Sequence, residues 1–220
     1  ATAPGRADAM RLALLGAAST GKTQLAGEIA QLWRSQGHAV HAVPEVLRAW
    51  CDTHGRTPLV AEQAGIAAEQ ARQALAAPPG NWVVSDTTPM MTAIYSDLLF
   101  GDTSLYPMAL EHQRCYDLTL VTGLDLPWVA DGLQRDGPHV REPVDSRLRQ
   151  VLDQGGVPYR VVYGSGSQRL MNARFAIESI APHAELARAG GRFGSQYRPW
   201  GCDKCADPEC EHRLFTGRWD

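Results

Sequence analysis

Residues 11–23 read Arg-Leu-Ala-Leu-Leu-Gly-Ala-Ala-Ser-Thr-Gly-Lys-Thr, and this stretch decides the fold. The apolar run from Leu12 to Leu15 predicts a buried strand, and apolar residues at helical spacing predict a helix from Lys22 to Gln36. Between them, residues 16–23 match G-x-x-x-x-G-K-[ST] at every fixed position. A strand, a glycine-rich loop and a helix in this order predict a loop that wraps phosphates.

The loop residues have separate predicted roles. Backbone N–H groups would bind the phosphates, Lys22 would reach the β and γ phosphates, and the hydroxyl of Thr23 would ligate Mg²⁺. The alternative is an ordinary glycine-rich turn that carries a surface lysine. The predicted ATP-binding residues are Gly16, Ala17, Ser19, Thr20, Gly21, Lys22 and Thr23.

The rest of the chain continues the alternation of strands and helices. Further strands are predicted at 39–43, 82–85, 118–121 and 159–163, and further helices at 60–76, 90–100, 105–114, 147–154 and 168–180. This order predicts the α/β class, with a five-stranded parallel sheet flanked by helices in a P-loop NTPase fold. The predicted divisions are a loose leader (1–9), a P-loop domain (10–188), a linker (189–201) and a cysteine-bearing tail (202–220).

Composition narrows the classes of partner. The 220 residues carry 21 Lys and Arg against 24 Asp and Glu, a net charge of −3, so nucleic acid is not the expected partner. No apolar run approaches the roughly 18 residues that cross a bilayer, so no membrane partner is expected. Five cysteines, three of them crowded near the end, do not resemble a secreted disulfide framework, and we expect reduced thiols and a cytoplasmic location.

Polar residues that follow the second and third strands are candidates for a substrate site. Asp86 ends an apolar run at the edge where open α/β sheets bind ligands, so it could hold Mg²⁺ through water or accept a proton from an attacking hydroxyl. Capping of the next helix is the alternative. Glu45 and Arg48 lie three residues apart, and they could order the substrate side of the cleft or merely pair with each other.

From about residue 11 to 180, the chain resembles the ribosylnicotinamide kinase domain of NadR-type NAD-salvage proteins. The resemblance rests on the loop 16–23, on Pro44-Glu45-x-x-Arg48, on Asp86-Thr87-Thr88, and on Trp128-Val129-Ala130-Asp131-Gly132-Leu133-Gln134-Arg135, which is similar to the family's Trp-Val-x-Asp-Gly-Leu-Arg. The family's N-terminal adenylyltransferase signature, His-x-Gly-His, does not occur here, so any adenylylation would require another protein.

This resemblance implies an ATP- and Mg²⁺-dependent kinase that phosphorylates the 5′-hydroxyl of a small ribonucleoside, with nicotinamide riboside as the leading candidate. The nucleoside would lie between the second and third strands, where Asp86 would face its 5′-hydroxyl. The segment after the fourth strand would form a lid, from which Arg135, and with it Arg141, would close on the polyphosphate; the alternative for Arg135 is a solvated loop charge. Backbone groups of residues 164–166 would touch the adenine, although a glycine-rich turn from strand to helix explains these glycines equally well.

The tail adds a candidate metal site. Cys202-x-x-Cys205-x4-Cys210-x-His212 offers a Cys₃His set for a structural Zn²⁺. The alternatives are a thiol cluster without metal, a disulfide formed during handling, or another residue in place of His212. Aromatic and basic neighbours could dock the tail onto its own domain, a protein partner or a second copy of the chain. The second functional hypothesis is therefore a P-loop ATPase or switch whose zinc tail recognises a partner.

Overall fold

The structure is a computed structural model that describes residues 9–130 and 137–179. The strands are β1 (Arg11–Leu15), β2 (Val40–Val43), β3 (Trp82–Asp86), β4 (Leu118–Thr122) and β5 (Arg160–Val162). The helices are α1 (Lys22–Ser35), α2 (Val46–His54), α3 (Val60–Leu75), α4 (Pro89–Phe100), α5 (Tyr106–Gln113), α6 (Arg141–Gln154) and α7 (Gly166–Glu178). A short 3₁₀ turn, Pro138–Val140, precedes α6.

The five strands form one parallel sheet in the order β2-β3-β1-β4-β5, which confirms the predicted architecture. β1 lies at its centre, with Leu14 opposite Asp86 of β3 and Leu120 of β4. The carboxyl ends of β1, β2 and β3 therefore meet at one edge of the sheet, where the loops that follow them share a crevice.

Both faces of the sheet are buried. Leu12 and Leu14 pack with α1 and α7 on one face, whereas Leu15 packs with α4, α5 and α6 on the other. This alternation follows from the two-residue period of a strand, and it explains why a strand covered on both faces reads as a continuous apolar run. On α1, Leu25, Ile29 and Trp33 recur every four residues and are buried against the sheet.

The structure differs from the sequence prediction at two helices. α2 was not predicted as a helix; it begins directly after Glu45, and the side-chain amide of Gln70 on α3 accepts a hydrogen bond from the Val46 N–H at 2.8 Å. α6 begins at Arg141 rather than at residue 147. Pro143 is compatible with this earlier start because it lies in the first turn, where its missing N–H would have no helical partner.

Within the described ranges, no helix is both long enough and apolar enough to cross a membrane. The tail prediction, including Cys202, Cys205, Cys210 and His212, falls outside these ranges, as does Arg135.

Candidate functional site

The loop between β1 and α1 has a backbone that requires glycine. Gly16 has a φ of +145°, and a Cβ atom there would lie 2.2 Å from the Thr122 hydroxyl oxygen. Gly21 has a φ of +73°, and even Ser19 adopts the left-handed region at +56°. These conformations curve the chain tightly above the centre of the sheet, as a loop that surrounds phosphates must do.

The amino end of α1 carries no negative charge of its own. Within the described residues no side chain caps the helix, and its first turn contains no acidic residue. The Lys22 ammonium group donates a hydrogen bond to the Ala17 carbonyl at 2.8 Å, so its positive charge lies over the loop. Uncapped N–H groups, the helix dipole and this cation together favour an anion at the loop.

The predicted ATP-binding residues divide into three groups. Gly16, Ser19 and Lys22 line a cavity together with Ala18; Ala17 and Thr20 are fully buried; and Gly21 and Thr23 are not part of the cavity lining. The Thr20 hydroxyl donates to the Ala17 carbonyl at 2.8 Å and shares a 2.6 Å hydrogen bond with the Thr122 hydroxyl. The side chain of Thr20 therefore supports the loop from below, and only backbone groups of Ala17 and Thr20 could serve a ligand.

Asp86 lies at the end of β3 and does not cap the next helix. The N-cap of α4 is Thr88, whose hydroxyl oxygen accepts the Met90 N–H at 3.2 Å, so the capping alternative for Asp86 is wrong. Asp86 is 5% exposed, and its Oδ1 is buried without a hydrogen-bond partner in the described residues. A buried carboxylate oxygen without a partner is costly, and it suits a site that binds a cation or accepts a proton.

The cavity extends from the phosphate loop to helices α2 and α4. It has a volume of about 150 Å³, and it is partly open to solvent. Glu45 and Arg48 both lie in its wall, although the Arg48 Nε also contacts the Glu45 carboxylate at 3.4 Å. The complete lining is Gly16, Ala18, Ser19, Lys22, Glu45, Arg48, Cys51, Asp52, Thr87, Met91, Tyr95, Trp128 and Val129.

Eight lining residues were not predicted to contact a ligand: Ala18, Cys51, Asp52, Thr87, Met91, Tyr95, Trp128 and Val129. Asp52 lies one helical turn after Arg48, and Tyr95 lies one turn after Met91, so each pair presents one face of its helix to the cavity. Had α2 been predicted as a helix, the four-residue spacing from Arg48 would have placed Asp52 on the same face as Arg48 and indicated it as a lining residue.

The segment after β4 lies over the phosphate loop. The Val129 N–H donates to the Ser19 hydroxyl oxygen at 2.7 Å, and Trp128 and Val129 close one side of the cavity. Arg141 was expected to act from this segment on the polyphosphate. Instead its buried guanidinium donates to the carbonyls of Leu126 at 2.9 Å and Leu124 at 3.2 Å, so Arg141 anchors the base of the segment.

The residues predicted to hold Mg²⁺ fit that ion by their chemistry. Thr23 is an exposed residue in the first turn of α1. Asp86 offers a carboxylate oxygen, Oδ1, that has no hydrogen-bond partner among the described residues. Oxygen ligands of this kind, completed by phosphate oxygens and water, are those that Mg²⁺ prefers. The described residues contain no cluster of three or more His, Cys, Asp or Glu side chains that could hold a metal by themselves.

Comparison with known proteins identifies a family for this chain. A protein-family model described as AAA domain (AAA_28) matches residues 11–169. No curated protein matches the sequence significantly.

Solved structures share the fold at low sequence identity. The crystal structure of NadR protein in complex with NR aligns with a TM-score of 0.61 at 19% identity, over 78% of this chain and 50% of that chain, so this chain spans about half the length of that protein. Deoxyadenosine kinase from M. mycoides aligns with a TM-score of 0.55 at 14% identity, over 78% of this chain and 100% of its own. Thymidylate kinase from Ehrlichia chaffeensis gives 0.55 at 13% identity, over 78% and 99%. The resemblance that the sequence motifs indicated is thus confirmed at the level of the fold.

Proposed function

The chain belongs to the AAA domain family of P-loop proteins, and from that premise we propose that it is a kinase that transfers the γ-phosphoryl group of ATP to the 5′-hydroxyl of a small ribonucleoside. Nicotinamide riboside is the substrate to test first, because the NadR protein, whose structure this fold resembles, was solved in complex with NR. The product would then be nicotinamide mononucleotide.

The observation that carries this proposal is the shared cavity. Lys22 and the phosphate loop line the same cavity as Tyr95 and the Glu45–Arg48 pair, and Trp128, from the segment over the loop, lines it as well. Aromatic rings can stack on a flat base, while carboxylate and guanidinium groups can bind ribose hydroxyls. An ATPase needs only the phosphate loop, whereas a nucleoside kinase needs both sets of residues in one continuous space.

In the proposed reaction, the protein acts mainly by positioning and by positive charge. Backbone N–H groups of the loop hold the phosphates, and Lys22 leaves the Ala17 carbonyl to contact the transferring group. The 5′-hydroxyl oxygen forms a bond to the γ-phosphorus while the bond between that phosphorus and the leaving ADP oxygen breaks. Asp86 accepts the proton that the 5′-hydroxyl loses. Bound Mg²⁺, held by Thr23 and Asp86, would neutralise charge on the phosphates.

A panel of nucleosides incubated with ATP and Mg²⁺ and analysed by mass tests this proposal. We expect nicotinamide riboside to gain one phosphate group while an equal amount of ADP appears. Release of inorganic phosphate without any phosphorylated nucleoside would contradict the kinase and support the alternative of an ATPase or switch. Phosphorylation of a different nucleoside would retain the kinase and reject the proposed substrate.

A further inference from the structure

Arg169, a buried residue on α7, joins two loops that are far apart in the sequence. Only 4% of the residue is exposed, and its guanidinium donates to the Thr20 carbonyl in the phosphate loop at 2.6 Å. The other terminal nitrogen donates to the Gly164 carbonyl at 2.8 Å, in the turn between β5 and α7. One planar side chain with two parallel donors thus sets the separation of these loops.

A third segment completes this connection. Asp125, three residues after the end of β4, lies 3.6 Å from the Arg169 guanidinium and accepts the Gly164 N–H at 2.6 Å. Both polar backbone groups of Gly164 are therefore held, the carbonyl by Arg169 and the N–H by Asp125. The same turn is also tied to α7 through Asn172, whose amide donates to the Tyr163 carbonyl at 3.1 Å.

The phosphate loop does not depend on Arg169 for its internal shape. Thr20 is held from below by the Ala17 carbonyl and the Thr122 hydroxyl, and the Thr122 hydroxyl oxygen also lies 3.2 Å from the Leu15 carbonyl oxygen, so the two threonine hydroxyls share their two hydrogens among these three contacts. The hydrogen bond from Arg169 to the phosphate loop reaches the backbone carbonyl of Thr20 and not its side chain. Its contribution is thus the position of the loop relative to the Gly164 turn.

We propose that Arg169 is a positioning residue that fixes the phosphate loop and the Gly164 turn at the separation that one nucleotide spans, so that the phosphates and the base bind together. This inference rests on the proposed function, in which the triphosphate occupies the loop, and on the expectation from the family resemblance that the adenine lies against residues 164–166. Two weak subsites held at a fixed separation bind a linked ligand far more tightly than either binds its own part. Removal of the Arg169 guanidinium therefore weakens the binding of the whole nucleotide while the phosphate loop and the Gly164 turn each keep their own structure.

The test compares the dissociation constants of ATP and inorganic tripolyphosphate, measured by calorimetry on the full chain. In Arg169→Gln, we expect ATP affinity to fall about tenfold while tripolyphosphate affinity stays within about threefold of wild type. Arg174→Gln is the matched control, because Arg174 lies on the same helix and pairs with Glu178 at its exposed surface. The control should leave both constants unchanged.

Asp125→Asn provides a second variant, because the Asp125 side chain is 31% exposed and tolerates substitution better than a buried arginine. It removes the charge opposite Arg169 but keeps an oxygen for the Gly164 N–H, and the preference for ATP over tripolyphosphate should fall about threefold. If Arg169→Gln does not fold, the ratio of ATP affinity to tripolyphosphate affinity in Asp125→Asn tests the proposal instead.

Equal loss of affinity for both ligands, or an unchanged ratio in the variants, would overturn the assignment of Arg169. A general loss of loop structure would weaken the binding of tripolyphosphate as much as that of ATP. The ratio of the two affinities therefore distinguishes a positioning role from a purely structural one. Failure of the wild-type chain to bind ATP would instead refute the proposed function itself.

Discussion

His112 is a buried imidazole whose protonation should make the fold sensitive to moderate acid. It lies in the last turn of α5, is 7% exposed, and packs edge-on against the Tyr116 ring with centroids 5.5 Å apart. Its Nε2 lies 3.4 Å from the Tyr116 hydroxyl, which also contacts Ser85 at 2.8 Å. Burial, with a smaller effect from the positive charge of Arg11, lowers the pKa of His112 from 6.5 to about 4.

The sign follows from the protons bound in each state. Below pH 6.5 the unfolded chain takes up a proton at His112, and the folded protein does so only near pH 4, so stability is complete above pH 6.5 and is lost as the pH falls. With these two pKa values, the loss between pH 7.5 and pH 5 works out to about 2 kcal/mol. Partial access of water to the ring edge reduces this, and we expect 1 to about 2 kcal/mol.

Urea unfolding of the wild type and of His112→Gln at pH 7.5 and pH 5 measures this contribution. The substitution has its own cost at both pH values, so the quantity that matters is the difference in pH dependence between the two proteins. Wild type should lose 1 to about 2 kcal/mol more than the variant on acidification. His139→Gln, at an exposed position, is the control and should follow the wild type. Parallel pH curves for wild type and His112→Gln would refute the reasoning.

Three further predictions concern the proposed site and the tail. Lys22→Ala should lower turnover by orders of magnitude without loss of fold, because it removes the main cation at the transferring phosphate; near-normal initial rates would reject that role. Asp86→Asn keeps the side-chain shape but removes the proton acceptor, so turnover should collapse while nucleoside affinity, measured by calorimetry, falls less; a fully active variant would show that the carboxylate has no part in the reaction. Metal analysis should find close to one zinc per chain, and less in Cys202→Ser; a zinc-free wild type would disprove the predicted site.

The centre of the fold could be predicted because its signals are local. The β1 strand, the glycine loop and the start of α1 are encoded within about a dozen consecutive residues, and each agrees with the next. α2 was missed because its start depends on Gln70, a residue 24 positions later that satisfies the Val46 N–H. No local capping residue precedes that helix, so a sequence pattern contained nothing to indicate where it begins.

The wall of the cavity was predicted only in part, for a related reason. α4 is apolar around most of its circumference, and Met90, Met91, Ala93 and Ile94 are all buried. Because every face of such a helix looks alike in sequence, periodicity cannot distinguish the face with Met91 and Tyr95 from the faces that fill the core. Arg169 was missed for the opposite reason: it reads as an ordinary surface charge, and only the tertiary structure buries it beneath the phosphate loop.

The junction after β3 shows how the fold maintains a costly arrangement. Thr87 is β-branched yet has a φ of +66°, a conformation that costs about 1 to 3 kcal/mol in a residue of this kind. The surrounding contacts hold it there: the Thr87 N–H donates to the Leu14 carbonyl at 3.0 Å, and the next hydroxyl, that of Thr88, caps α4 and donates to Gln113 at 2.6 Å.

These contacts satisfy the polar groups of Thr87 and Thr88 but not the carboxylate of Asp86, whose Oδ1 is left buried without a partner in the described part of the chain. Stability alone would favour a paired carboxylate or an apolar residue at this position. The left-handed Ser19 in the phosphate loop is a second unfavourable conformation at the same edge of the sheet, and its hydroxyl receives the Val129 N–H. Backbone strain and a buried carboxylate oxygen without a described partner, at the same edge of the sheet, are the pattern expected of a site held ready for a ligand. Asp86 is not among the residues that line the cavity, but it ends the strand whose next residue, Thr87, lines it, so the carboxylate lies next to the proposed site.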